Sequence, residues 1–293
     1  MKDKPIAVLG GGVSGLAAAL TLLENGQKVV IVEKGDRLGG AARSISIPEN
    51  RTIPAGYHQV VGTDLELIRF LKKLNLFDRL SWKSTKITSL FNHQEIDLSS
   101  PMDILFFRHL SVVGRIRYLL FGARCVLFKN WQSWQGKPVT EMVRKLAGEE
   151  VLKKIIQPLV DIKFGISPDL ADAAWLGKRL SHREATTKFG YIRNASWTQE
   201  MCDAFEIRIR QLGGVIKTGT SVKKINLSSN RTVTSIITDQ DEKIPVKAVL
   251  STLQPPILSM ILNNGKTPKH WIGQLDKIKY IHIYSLVAGL PFV

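Results

Sequence analysis

The residues nearest the start of the chain whose types and spacing could do chemistry are glycines. The run Gly10-Gly11-Gly12-Val13-Ser14-Gly15 has the spacing GxGxxG, and an acid, Glu33, stands 18 residues after Gly15. Each glycine has a mechanical use where main chain must come close to phosphate. Gly10 permits a tight turn, Gly12 removes the Cβ that would stand between backbone and a pyrophosphate, and Gly15 lets a helix pack closely on a strand. With Gly11, Val13 and Ser14 they offer main-chain N–H groups at a helix N-terminus, where the dipole favours negative charge. Glu33 can accept hydrogen bonds from ribose hydroxyls, and its charge disfavours a 2′-phosphate.

These residues need a strand before them and a helix behind. Residues 5–9 form a short apolar run suited to a buried parallel strand, and 29–32 form a second. Between them Leu16, Ala17, Leu20 and Leu23 recur at helical spacing, and Gly26 sits where a helix C-terminus favours a left-handed residue. Strand, helix, strand and acid are in register, which lifts the pattern above a chance glycine-rich turn that binds nothing.

The following residues bear on which dinucleotide is bound. Lys34-Gly35-Asp36-Arg37-Leu38-Gly39-Gly40-Ala41-Ala42-Arg43-Ser44 resembles the second signature of the flavin amine oxidase superfamily, which includes protoporphyrinogen oxidases, phytoene desaturases and monoamine oxidases. The resemblance implies FAD. It places Lys34 and the loop Gly39, Gly40 and Ala41 at the cofactor, near its pyrophosphate and ribityl chain, with Arg43 neutralising phosphate charge; Ala41 stands where many amine oxidases have another arginine. It also implies that Gly56, Tyr57 and His58 lie under the flavin, the plainer reading of His58 being a packed histidine in a turn. Val222, in the run 221–225, matches the valine whose backbone meets adenine. Lys279 matches faintly the lysine that some amine oxidases hold near flavin N5, against the plainer reading of an ordinary strand lysine; no other catalytic residue is identified.

The implied fold class is α/β: a Rossmann-like FAD-binding domain with an inserted, largely helical α+β substrate domain. Residues 1–62 and 196–256 are expected to form the discontinuous FAD-binding domain. Residues 63–195 and 257–293 are expected to form the substrate domain, with Thr63 or Asp64 capping a helix that carries Leu67, Ile68, Leu71 and Leu74. Two departures from the family pattern stand out. Asn194-Ala195-Ser196 replaces a glycine pair, and the chain stops at Val293, soon after an apparent strand over 280–288, where relatives continue into a second Gly-Asp segment. That end suggests a fragment or a truncated product.

With 41 Lys and Arg against 25 Asp and Glu, the formal charge of +16 favours an anionic partner: a phosphate-bearing cofactor, an acidic substrate or an anionic membrane surface. Nucleic acid is allowed by charge, but no zinc-finger spacing, RNA-binding aromatic signature or helix-turn-helix pattern accompanies it. Cys125 and Cys202 lack metal or redox spacing and read as reduced thiols of a cytoplasmic protein, with no metal site expected. No acid occurs from Ile104 to Thr140, where Arg108, Arg115, Arg117, Arg124, Lys129 and Lys137 are interleaved with aromatic residues. That composition suits either an interfacial segment on the inner face of a membrane or buried helices with snorkelling arginines.

The function implied by the resemblance is an FAD-dependent oxidoreductase acting on a small molecule, with hydride passing from a substrate C–H or C–N group to flavin N5. Two rivals stay open: an FAD-dependent, sugar-nucleotide mutase-like isomerase sharing the N-terminal signature, and a truncated, non-catalytic nucleotide-binding chain.

Overall fold

Valine-rich runs too short for helices build the centre of the sheet. β1 (Ile6–Leu9) leads through the glycine turn into α1 (Val13–Glu24) and back to β2 (Val29–Val32). All four residues of β2 are buried, as a parallel strand covered on both faces requires. The computed structural model describes residues 3–47, 51–56, 58–84, 88–91, 93–98, 100–181, 188–193, 195–262, 267–278 and 280. Tyr57, Lys279 and all but the first residue of the strand expected over 280–288 lie outside them.

The described chain forms two compact units. The first draws on Met1–Val60, Asp64–Ser81 and Tyr191–Val293, and the second on Val61–Thr63 and Trp82–Gly190. After β2 the first unit adds the antiparallel hairpin β3 (Ser44–Ile47) and β4 (Arg51–Pro54), then β5 (Val60–Val61) and α2 (Leu65–Lys73). Asp64 occupies the N-cap of α2, but its side chain makes no capping bond, contrary to expectation.

The chain then enters the second unit. β6 (Leu80–Ser84) is followed by the hairpin β7 (Thr88–Phe91) and β8 (Gln94–Asp97). The helices α3 (Pro101–Leu105), α4 (Val112–Phe128) and α5 (Val139–Leu146) come next. A longer helical stretch starts as α6 (Glu149–Val151), widens into a π turn over Leu152–Ile156 and continues as α7 (Gln157–Phe164). Pro158 lies just after the wide turn and has no N–H to give a carbonyl one turn back, a familiar cause of such widening. α8 (Ala173–Ser181) and β9 (Lys188–Ile192) complete the run. Phe121, Trp134, Val143, Ile156, Val160 and Leu176 are among the buried side chains of this unit's core.

On return, α9 (Trp197–Gln211) precedes β10 (Val215–Lys217), the meander β11 (Val222–Leu227), β12 (Val233–Thr238) and β13 (Lys243–Pro245), β14 (Ala248–Ser251), α10 (Pro255–Leu262) and α11 (Lys269–Leu275). The main sheet has the order β10-β2-β1-β14, every pairing parallel. Ala7, Leu9, Val30 and Val32 point from one face onto Ile225, Ile236 and Val246 of the meander. α1 packs on β1, β2 and α9, its buried Leu16, Leu20 and Leu23 falling on one helical face. All four parallel strands therefore end on the same side, at Leu9, Val32, Lys217 and Ser251, the side on which open α/β sheets bind ligands.

Candidate functional site

The glycine turn sits at the carboxyl end of β1, and its glycines answer to different demands. Gly10 has φ +101°, and a Cβ there would come within 2.7 Å of Thr252 Oγ1. A Cβ on Gly15 would drive into the Gly10 carbonyl. Gly12, by contrast, has φ −70°, which any residue adopts, and the nearest protein atom to its missing Cβ is Gly40 Cα at 3.9 Å. Neither its own backbone nor its neighbours require a glycine, so the space in front of it is free for a ligand. Gly12 is also the N-cap of α1, where it can supply no side-chain acceptor, and the first turn carries no acid. The opening N–H groups of the helix are thus left for an anion.

The second glycine pair is folded against the first. Gly39 donates its N–H to Gly11 O at 2.8 Å, and Gly12 and Gly39 form an isolated parallel bridge. Gly39 and Gly40 both have positive φ, 114° and 56°. Glu33 braces this arrangement, one carboxylate oxygen accepting from Gly11 N at 2.5 Å and the other from Gly35 N at 2.8 Å. Two main-chain bonds leave further acceptor positions on that carboxylate. At the far end of the loop the buried hydroxyls of Ser44, Ser196 and Thr198 form a closed triangle with sides of 2.7, 3.0 and 3.0 Å, tying the start of β3 to the start of α9.

A cavity of about 620 Å³ opens above these turns, wholly within the first unit. Of the expected residues, Gly10, Gly12, Val13, Ser14, Glu33, Gly39, Gly40, Ala41 and His58 line it. Gly11 lies behind the turn, under Leu38 and Glu33, and Gly15 is buried in the contact of α1 with the turn. Arg43 and Glu33 line an adjoining cavity of about 360 Å³ together with Gly35 and Gln199. Lys34 is exposed, Gly56 is half-buried and neither lines a cavity named here. Val222 opens β11 opposite Thr238, and its side chain packs on the meander's core rather than lining the cavity.

His58 Nε2 lies 2.9 Å from the Ala41 carbonyl oxygen. A carbonyl only accepts, so Nε2 is the donor in this contact. Trp197 Nε1 donates to the His58 carbonyl at 3.2 Å. His58 therefore belongs to the cavity wall and holds the Gly-Gly loop, and its side chain is exposed rather than packed.

Sequence reasoning missed part of the wall: Gln59, Leu67, Trp197, Met201, Thr252, Leu253, Gln254 and Ile257. The signal for Thr252–Gln254 was available, because they follow a parallel strand that lies beside β1 and share its ligand-facing end. Thr252 Oγ1 donates to Leu9 O at 3.0 Å and so fastens the two strand ends together. Leu67 and Met201 had no such signal; they reach the cavity only through the packing of their helices. Burial pushes both cysteine thiols up to about 11, with Asp203 adding to the effect at Cys202. Both are therefore protonated at neutral pH and serve as packing residues. Among the described residues no group of His, Cys, Asp or Glu could hold a metal ion, and no helix is long and apolar enough to cross a membrane.

Residues 13–288 match the family described as flavin containing amine oxidoreductase. The chain belongs to that family. Flavin containing amine oxidoreductases of this type use FAD, and the features described above fit it: a Cβ-free approach at Gly12, a helix N-terminus without an acid and an acid at the end of β2. A 15-cis-phytoene desaturase from an Oncidium hybrid cultivar is 22% identical over 323 residues, covering all of this chain and 52% of the desaturase. An oxidoreductase from Methanosarcina mazei superposes with a TM-score of 0.70 at 19% identity, over 94% of this chain and 65% of that one. A reduced UDP-galactopyranose mutase gives a TM-score of 0.69 at 16% identity, over 94% and 62%. The fold is thus the α/β fold that these solved structures share. The chain spans between about half and two thirds of the length of the curated phytoene desaturases it matches.

Proposed function

We propose that the protein is an FAD-dependent oxidoreductase of the amine oxidase and desaturase type, removing hydride from a C–H or C–N group of a small-molecule substrate. The observation that carries this reading is the free space before Gly12, opposite the Gly39-Gly40 loop and beside the uncapped first turn of α1. In this reading the main-chain N–H groups of Val13 and Ser14 hold the pyrophosphate, Glu33 accepts from the adenosine ribose, and Arg43 balances phosphate charge at the edge. Gly11 and Gly15 shape the turn without touching the ligand. The expected contacts of Lys34, Gly56, Tyr57 and Val222 with FAD belong to the same proposal. When bound, the flavin supplies the hydride acceptor at N5. The chain binds and orients the cofactor, and His58 holds the loop beneath it through Ala41 O. The apolar side chains of Leu67, Trp197, Met201, Leu253 and Ile257 line the cavity and would shield the bound flavin from water. The faint expectation of Lys279 near flavin N5 belongs to the same proposal. The second unit, chiefly helical, is read as substrate-binding.

The test is anaerobic mixing of the flavin-loaded protein with amine and polyene substrates. Bleaching of the flavin together with a product two hydrogens poorer supports the proposal. A product isomeric with its substrate, formed only after the flavin has been reduced beforehand, would assign the chain to the mutases instead. Peripheral contact with an anionic membrane is a separate reading that concerns α4 of the second unit.

A further inference from the structure

Helix α4 is apolar on the side that faces water. Its inner face, with Gly114, Phe121 and Cys125, is buried, and Phe121 stacks on Trp134 with ring centroids 6.0 Å apart. Its outer face presents Val113, Ile116, Leu120 and Leu127, with Leu120 63% and Leu127 75% exposed. At the ideal helical angle these four fall within an arc of roughly 60°. The outward stripe of a helix packed on one side by its own core is ordinarily polar. Phe106 beyond α3 and Phe128 at the end of α4 extend the patch, 68% and 65% exposed.

The charges beside the stripe have one sign. Arg117 and Arg124 flank it on one side, the Arg124 guanidinium 5.6 Å from the Phe128 ring centroid. From Ile104 to Thr140 the chain contains no acid. Glu150 meets the helix only at its N-terminus, where it is already bonded to Ser111 and Lys154. The seam Val113, Ile116, Leu120, Leu127 also has the spacing of a helix-pairing face, but a second copy would bring its own arginines to that contact and no carboxylate from the same helix. A surface that is apolar below and negative above matches both features.

We propose that α4, with Phe106 and Phe128 at its ends, docks on an anionic lipid bilayer. The stripe enters the headgroup boundary and Arg117 and Arg124 meet lipid phosphates. This inference stands apart from the redox reading and needs no substrate.

The purified 293-residue chain is floated with vesicles of phosphatidylcholine alone or mixed with phosphatidylglycerol. The wild type is expected to float with the anionic vesicles and to be released by salt. Leu120→Glu/Leu127→Glu is expected to abolish flotation. Arg117→Gln/Arg124→Gln is expected to weaken partitioning roughly thirtyfold, about fivefold for each charge. All four positions are exposed, and retained helicity with unchanged flavin binding controls for folding. A folded wild type that stays with the aqueous phase overturns the proposal. So does flotation undiminished by the two glutamates. A wild-type dimer that does not float and that these glutamates dissociate overturns it in favour of self-association.

Discussion

Gly12 and Gly15 stand three positions apart and are glycines for different reasons. A Cβ on Gly15 collides with the carbonyl of Gly10, so Gly15→Ala should destabilise the first unit by about 1–3 kcal/mol, measured as a lower denaturant midpoint. A Cβ on Gly12 meets nothing closer than 3.9 Å, so Gly12→Val should leave the unfolding midpoint close to wild type. It should nevertheless weaken FAD binding at least about a hundredfold, a loss of about 2.7 kcal/mol. Isothermal titration separates the two; Gly12→Val protein that binds FAD at wild-type strength defeats the site. The cysteines give a second test. Buried thiols held near 11, against 9 when exposed, keep protons that the unfolded chain releases. Their contribution is complete below pH 9 and is lost as pH rises toward 11, a decline that Cys125→Ala/Cys202→Ala should flatten in urea titrations. At this scale the glycines and Glu33 were legible because the constraint on each is local. Leu67 and Met201 were not, because nothing in their own neighbourhoods marks them as facing a ligand.

Elements bring separate constraints. The β1-α1-β2 unit could be read directly, since a buried parallel pair and the helix between them have different hydrophobic periods. The segment from Ile104 to Thr140 could not. Composition allowed either a buried or an interfacial helix, and only the packing of Phe121 and Cys125 against the core, with Leu120 and Leu127 outside, shows that α4 is apolar on both sides. Its N-terminus is held by Ser111, which caps Gly114 N at 3.0 Å and is itself bonded to Glu150. Those bonds hold the Glu150 carboxyl down to about 2 from an ordinary 4.5. The stabilisation is present above pH 4.5 and is lost as pH falls toward 2. Glu150→Gln should therefore lower the second unit's melting midpoint at neutral pH, and the difference from wild type should vanish near pH 2. A constant difference across that range would show that charge is not involved.

For the molecule as a whole, the described chain forms two units interleaved along one chain, and which segments join which unit could not be read from spacing. α2 clusters with the nucleotide-fold unit through the packing of Phe70 on Phe205 and the ion pair of Lys73 with Glu24. Because the cavity lies in the first unit alone, FAD at a hundredfold above its dissociation constant should stabilise that unit by about 2.7 kcal/mol and leave the second unit's transition in place. Calorimetry with and without FAD checks this; equal movement of both transitions would mean the units unfold as one.

Ser44, Ser196 and Thr198 hydrogen-bond one another, while at its other end the same loop is pinned by Gly39 on Gly11. The span over 40–43 is therefore an arch resting on two fixed piers rather than a hinged door. Raising it would break the bonds among three buried hydroxyls. In the proposed binding mode these two anchors border the cofactor, so loosening one by Thr198→Val should speed FAD loading and release, measured by stopped-flow mixing.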